Sequence, residues 1–103
     1  MWTPMCDELV VDVASRDIWI RGQLHDPTLP RKEFDILEVL YRNRGRAVSR
    51  GEIASAGWPE RADGDVTDEE IDQYIRRLRT RIEIDPSAPK LIVTFRGYGY
   101  RMS

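Results

Sequence analysis

Ile71, Ile75, Leu78 and Ile82 recur at spacings of four, three and four residues. At about 100° per residue they fall in one narrow sector of a helix, so that sector is core and the segment is amphipathic. The start is marked by Thr67-Asp68-Glu69-Glu70, a capping box with a threonine N-cap and a glutamate three residues on. Three acids in the first turn suit the positive end of the helix dipole. The helix runs from about Asp68 to Glu83 and stops before Asp85-Pro86. Any fold for this chain must bury that stripe and leave the rest of the helix outside.

The remainder of the chain supplies what buries it. Leu9–Val13 and Ile18–Arg21 are β-branched or aromatic runs around Ala14-Ser15-Arg16-Asp17, which reads as a hairpin. A further turn and short strand lie within Gly22–Leu29, ended by Pro27 and Pro30. A first helix starts near Pro30 or Arg31, where proline is tolerated. Asp35, Glu38 and Arg42 form its one polar stripe, and a helix apolar around most of its circumference is a central one. Gly45 is its expected C-cap. Ser49-Arg50-Gly51-Glu52 is a second capping box and opens a short helix to about Gly57. Lys90–Arg96 and Tyr100–Met102 flank Gly97-Tyr98-Gly99 as a C-terminal hairpin. Trp19 and Phe34 read as core. The class is α+β, one domain over residues 1–103: antiparallel sheet at about 9–29, three helices at about 30–83, and a hairpin at about 90–102.

Composition narrows the chemistry. With one cysteine (Cys6) and one histidine (His25), neither a disulfide framework, a Cys- or His-based metal site nor a Ser-His-Asp triad is expected. Cys6 reads as a surface or packing residue and His25 as solvated, and Trp2 carries no assignment. No enzyme, no metal and no cofactor are expected, and without a signal peptide or membrane span the expected location is cytoplasmic. A net charge of −2 argues against nucleic acid. The distribution argues the other way. From Ile71 onward there are seven basic and three acidic residues, whereas the first 70 residues hold nine basic and fifteen acidic ones. The densest acidic stretch is Glu60–Glu70.

Opposite the apolar stripe of the third helix lie Gln73, Arg76, Arg77 and Thr80, flanked by Tyr74, Arg79 and Arg81. This suits the major groove of DNA. Arginine pairs bidentately with guanine, glutamine with adenine, and threonine meets the thymine methyl. Flanking arginines meet phosphates on the groove walls. The bland alternative is a solvated helix whose arginines pair with Glu69, Glu70 or Asp72. Two neighbours favour DNA. The short helix before it makes a helix-turn-helix-like pair, though with a long connection. The hairpin after it forms a wing tipped by Arg96, suited to the minor groove.

With these residues in view, the chain resembles the C-terminal effector domain of OmpR/PhoB-type response regulators, winged-helix transcription factors of two-component systems. The match is carried by Leu29–Leu37, Arg46–Ile53 with Trp58, Ile71–Arg79 and Val93–Arg101. The resemblance implies a four-stranded N-terminal sheet, a three-helix core and a C-terminal hairpin. It implies base contacts from Arg77 and Gln73. Arg76, Arg79 and Tyr74 would touch or approach the DNA backbone, and Trp58 holds a backbone-contacting position in some members. Thr94 and Tyr100 would anchor the wing and Arg96 enter the minor groove. The loop Pro59–Val66 maps to a segment that contacts RNA polymerase, and pairing on tandem DNA repeats is implied for full-length proteins. The usual receiver domain is not among these residues. Glu69-Glu70, Tyr74 and Thr80 depart from the family pattern, which commonly has arginine-threonine, histidine and lysine there. A winged helix turned to protein recognition, without DNA binding, is the competing expectation, motivated by the acidic balance and Glu69-Glu70.

Overall fold

The computed structural model describes residues 8–61 and 65–103. Trp2 and Cys6 lie outside the described residues, as do residues 62–64 of the Pro59–Val66 loop. Two three-stranded antiparallel sheets flank three helices. The first sheet has the order β1 (Leu9–Asp12), β2 (Asp17–Ile20), β3 (Gln23–Leu24). The resemblance implied four strands here, and the described sheet has three. Pro27 and Pro30 remove ladder donors from the stretch that would extend it. In β2 the period of two turns Ile18 into the core. Trp19 therefore lies on the other face, half-buried and opposite Leu24, which corrects its assignment to the core.

The helices are α1 (Arg31–Arg42), α2 (Arg50–Gly57) and α3 (Asp68–Ile82). α1 buries Phe34, Ile36, Leu37, Val39 and Leu40, as a central helix should. Its C-cap is Asn43, whose side-chain amide donates to the Val39 carbonyl at 2.7 Å. Gly45, the expected cap, instead lies beyond it at φ 83°, with its N–H on the Met102 carbonyl. Both capping boxes form in full. Ile71, Ile75, Leu78 and Ile82 are buried against Phe34, Leu37, Ile53, Ile92 and Met102 in one continuous core.

The second sheet joins the helices to the wing. Its order is β4 (Ala47–Ser49), β6 (Gly99–Met102), β5 (Ile92–Phe95), with Val48 opposite Tyr100. β4 was not separable in the sequence. It enters α2 directly, so the wing is tied to the start of that helix. Gly97 takes the left-handed conformation of the hairpin turn at φ 78°. Gly99 is needed for a different reason: a Cβ there would overlap the Val48 carbonyl across the sheet.

Two buried carboxylates fix α3. Glu33 of α1 accepts from Arg81 Nε at 2.7 Å. Glu83, just past α3, accepts the backbone N–H groups of Lys90, Leu91 and Ile92 at 2.9–3.1 Å. That clamp sets where β5 begins. Arg21 reaches from the first sheet to Glu8 and to the Ile82 carbonyl at the end of α3.

Candidate nucleic-acid interface

Gln73, Arg76, Arg77 and Thr80 are exposed together on the outward face of α3. The Thr80 hydroxyl donates to the Arg76 carbonyl at 3.0 Å. Tyr74 is half-buried on the flank, with the Arg77 guanidinium 4.6 Å from its ring centroid. Trp58 meets Tyr74 edge-on at 5.3 Å between centroids. Trp58 itself is only 4% exposed, whereas the resemblance implied a backbone-contacting position for it. Its ring packs into the core and backs Tyr74, with Lys32 Nζ 4.8 Å away.

The wing is bolted to α3 from two sides. Arg79 donates through Nε and Nη2 to the Ile92 carbonyl at 3.1 and 2.9 Å, and through Nη2 to Thr94 Oγ1 at 2.8 Å. Its head therefore turns onto β5, where the sequence placed it on the groove wall. Tyr100 is 3% exposed and its hydroxyl donates to Asp72. Burial, and then the hydrogen bond to the Asp72 carboxylate, push the Tyr100 pKa up to about 12. Arg50 of α2 bonds the same carboxylate at 3.2 Å and lies 3.5 Å from Asp68. Desolvation works to lower the Arg50 pKa, and the hydrogen bond to Asp72 with the charges around it outweighs that and raises it. Asp72 thus links α2, α3 and β6. Sequence reasoning missed it, although an acid bordering a basic helix face was a visible sign.

At the wing tip Phe95, Arg96, Gly97 and Tyr98 are exposed, and Arg101 stacks 5.0 Å over Phe95. His25 lies apart in the β3–α1 connection, near the Pro27 carbonyl. Among the described residues no three His, Cys, Asp or Glu side chains form a metal-binding group. No helix among them is long and apolar enough to cross a membrane.

The cations sort sharply. Before Ile71, every basic residue except Arg44 forms an ion pair with a carboxylate. From Ile71 onward only Arg81 does so among the described residues. Arg76, Arg77, Arg79, Lys90, Arg96 and Arg101 have no carboxylate partner there. The acidic first turn of α3 does not quench them. Asp68 and Asp72 engage Arg50, and Glu70 engages Arg61 at 2.9 Å and the Thr67 N–H. The hydrogen bonds from Thr67 and then Arg61 lower the Glu70 pKa. Glu69 is exposed and has no such partner among the described residues.

A hairpin wing bolted to an amphipathic third helix, with a short second helix before it, defines the winged-helix class of response-regulator effector domains. Residues 25–102 match the family described as transcriptional regulatory protein, C terminal, and the chain belongs to that family, the OmpR/PhoB-type effector domains. These are transcription regulators and not enzymes. The sensory transduction protein RegX3 of Mycobacterium leprae is 45% identical over 94 residues, 91% of this chain and 46% of that protein. The transcriptional regulatory protein CusR of Escherichia coli K12 is 40% identical over 95 residues, 92% of this chain and 40% of that one. The chain thus spans less than half the length of these relatives. Among solved structures, the Klebsiella pneumoniae RstA DNA-binding domain in complex with the RstA box superposes with a TM-score of 0.79 at 25% identity, covering 93% of this chain and 91% of that one. The response regulator DrrB of Thermotoga maritima, an OmpR/PhoB homolog, gives a TM-score of 0.78 at 33% identity, covering 93% and 42%.

Proposed function

We propose that this chain binds double-stranded DNA in a sequence-specific way and regulates transcription, with α3 in the major groove and Arg96 of the wing in the minor groove. The observation that carries the reading is the set of cations without carboxylate partners on α3 and the wing, beside a body whose other cations are almost all paired. Unpaired arginines on one side of a net acidic chain are matched by phosphates from outside. Arg77 and Gln73 read base edges, Arg76 approaches the backbone, and Thr80 presents its methyl to thymine. Arg79, Thr94 and Tyr100 act by holding the wing at the angle that lets Arg96 reach its groove. Tyr74 flanks the base-reading side chains. The Pro59–Val66 loop is a contact for RNA polymerase, tested by substituting Glu60 and Asp65 and following recruitment at constant DNA affinity. Pairing of copies on tandem repeats is read from whether a selected site is itself repeated.

The test is fluorescence anisotropy against a random duplex pool at several salt concentrations, followed by selection of enriched sequences. The reading expects log K to fall with log salt at about 0.9 per phosphate contacted, and a motif to emerge. Absence of both at low salt, with the chain alone and with a fused dimeriser, rejects it in favour of protein recognition.

A further inference from the structure

Arg76 and Arg77 are neighbours on α3, both exposed and both without a carboxylate partner, yet only Arg77 has a shelf. Its guanidinium lies 4.6 Å from the centroid of Tyr74. On its other side Tyr74 is backed by the core. Tyr74 meets the buried Trp58 edge-on at 87°, and Trp58 is covered in turn by Lys32 of α1. Lys32 is pinned by the Gly57 carbonyl at 2.5 Å and by Glu60 at 3.6 Å. The stack runs from the first turn of α1, past the end of α2, to the outward face of α3. The Tyr74 hydroxyl has no hydrogen bond among the described residues, so its ring face is the organised part. We propose that Tyr74 is a positioning residue that sets DNA specificity: its ring, wedged by Trp58, holds Arg77 in the orientation that reads a base pair. This rests on the groove-binding reading of α3.

The physical reason is preorganisation. An exposed arginine samples many rotamers, and ordering it on binding costs affinity. A ring face beneath it removes part of that cost in the free protein. A cation–π contact at a partly exposed site corresponds to about two- to fivefold in an equilibrium constant. The effect belongs to the ring and not to the hydroxyl, so phenylalanine should serve as well as tyrosine.

Two measurements test it. In the free protein, NMR should show the Arg77 side-chain protons displaced upfield by the Tyr74 ring current, with the displacement lost in Tyr74→Leu and kept in Tyr74→Phe. Selection from a random duplex pool is then run with the wild type, Arg77→Ala, Tyr74→Leu and Tyr74→Phe. Tyr74→Leu should lose about two- to fivefold of the preference at the base pair whose identity Arg77→Ala erases, leaving other positions and the salt slope unchanged. Tyr74→Phe should keep that preference. The proposal is overturned if Arg77 shows no upfield displacement, if Tyr74→Leu weakens all sequences evenly, or if Tyr74→Phe loses as much as Tyr74→Leu. A motif untouched by Arg77→Ala overturns the base-reading role of Arg77 itself. The NMR displacement reports the stacking separately, so the two failures are distinguishable, and the wild-type spectrum decides the stacking even where Tyr74→Leu fails to fold.

Discussion

The first 70 residues and the last third use arginine in opposite ways. In the first region Arg16, Arg21, Arg31, Arg42, Arg46, Arg50 and Arg61 each sit beside a carboxylate of the same chain. In the second, Arg76, Arg77, Arg96 and Arg101 have no such partner among the described residues, and Arg79 bonds only a carbonyl and a hydroxyl. A paired arginine belongs to the fold. An unpaired cluster repels itself until an anion arrives, so it belongs to whatever supplies that anion. The net charge of −2 averages the two regions and describes neither.

Arg81 is the exception in the second region, and it offers the largest test. Its partner Glu33 has a side chain only 5% exposed. Arg81→Leu strands that carboxylate, and about 3 kcal/mol of unfolding free energy should be lost in urea titration. Glu33→Leu with Arg81→Leu should recover most of it, because the desolvation of both charges is removed together. DNA affinity per folded molecule should not change in either. A loss of affinity in the double variant would place Arg81 with the unpaired cations and break the division.

Arg77→Ala should do the reverse. Binding to a selected site should weaken by about 1–3 kcal/mol while binding to scrambled duplex changes little. The unfolding midpoint should hold, since Arg77 is exposed and has no carboxylate partner among the described residues. Anisotropy on the two duplexes beside a thermal melt gives both numbers. Equal loss on both duplexes would make Arg77 a phosphate contact.

The wing lock is the next smaller effect. Tyr100 has its pKa raised from 10.0 to about 12, so the folded chain holds this proton more tightly than the unfolded chain. The resulting stability is complete below about pH 10 and is lost as pH rises through 12. Tyr100→Phe should abolish that alkaline decline and cost about 1 kcal/mol at neutral pH, the net worth of one hydrogen bond. Stability curves for both proteins between pH 8 and 12 decide it. An unchanged decline in the variant would assign it to other groups.

These residues also show what a sequence can carry. Periodicity and capping are local, so Ile71, Ile75, Leu78 and Ile82, Ser49 with Glu52, and Thr67 with Glu70 could all be read directly. So could the outward position of Gln73, Arg76, Arg77 and Thr80, which follows from the same wheel. The partners of Glu33, Glu83 and Asp72 could not. Glu33 and Arg81 are 48 positions apart, and Tyr100 and Asp72 are 28 apart. β4 is three residues long and exists because β6 pairs with it from the far end of the chain. The same gap explains Trp58 and Arg79. Their residue types suit DNA, and the contacts they make in the folded chain, with Tyr74 and with β5, come from distant parts of the sequence.

The smallest effect is the sharpest check on the division, because it holds charge change constant. Arg42 and Arg96 are both exposed, and replacing either with alanine removes one positive charge. Arg42 pairs with Glu38 at 3.0 Å, one helical turn earlier in α1. That is the favourable order for such a pair, worth roughly 0.3–0.5 kcal/mol. Arg42→Ala should lose about that much stability and leave DNA affinity and its salt slope unchanged at physiological ionic strength, where distant charges are screened. Arg96→Ala should leave stability unchanged and make the salt slope shallower by about one. Should both variants weaken binding equally, total charge would govern the interaction, and the distinction between paired and unpaired cations would have no bearing on DNA. Should only Arg96→Ala do so, the position of an arginine relative to the chain's own carboxylates is what marks it as part of the interface.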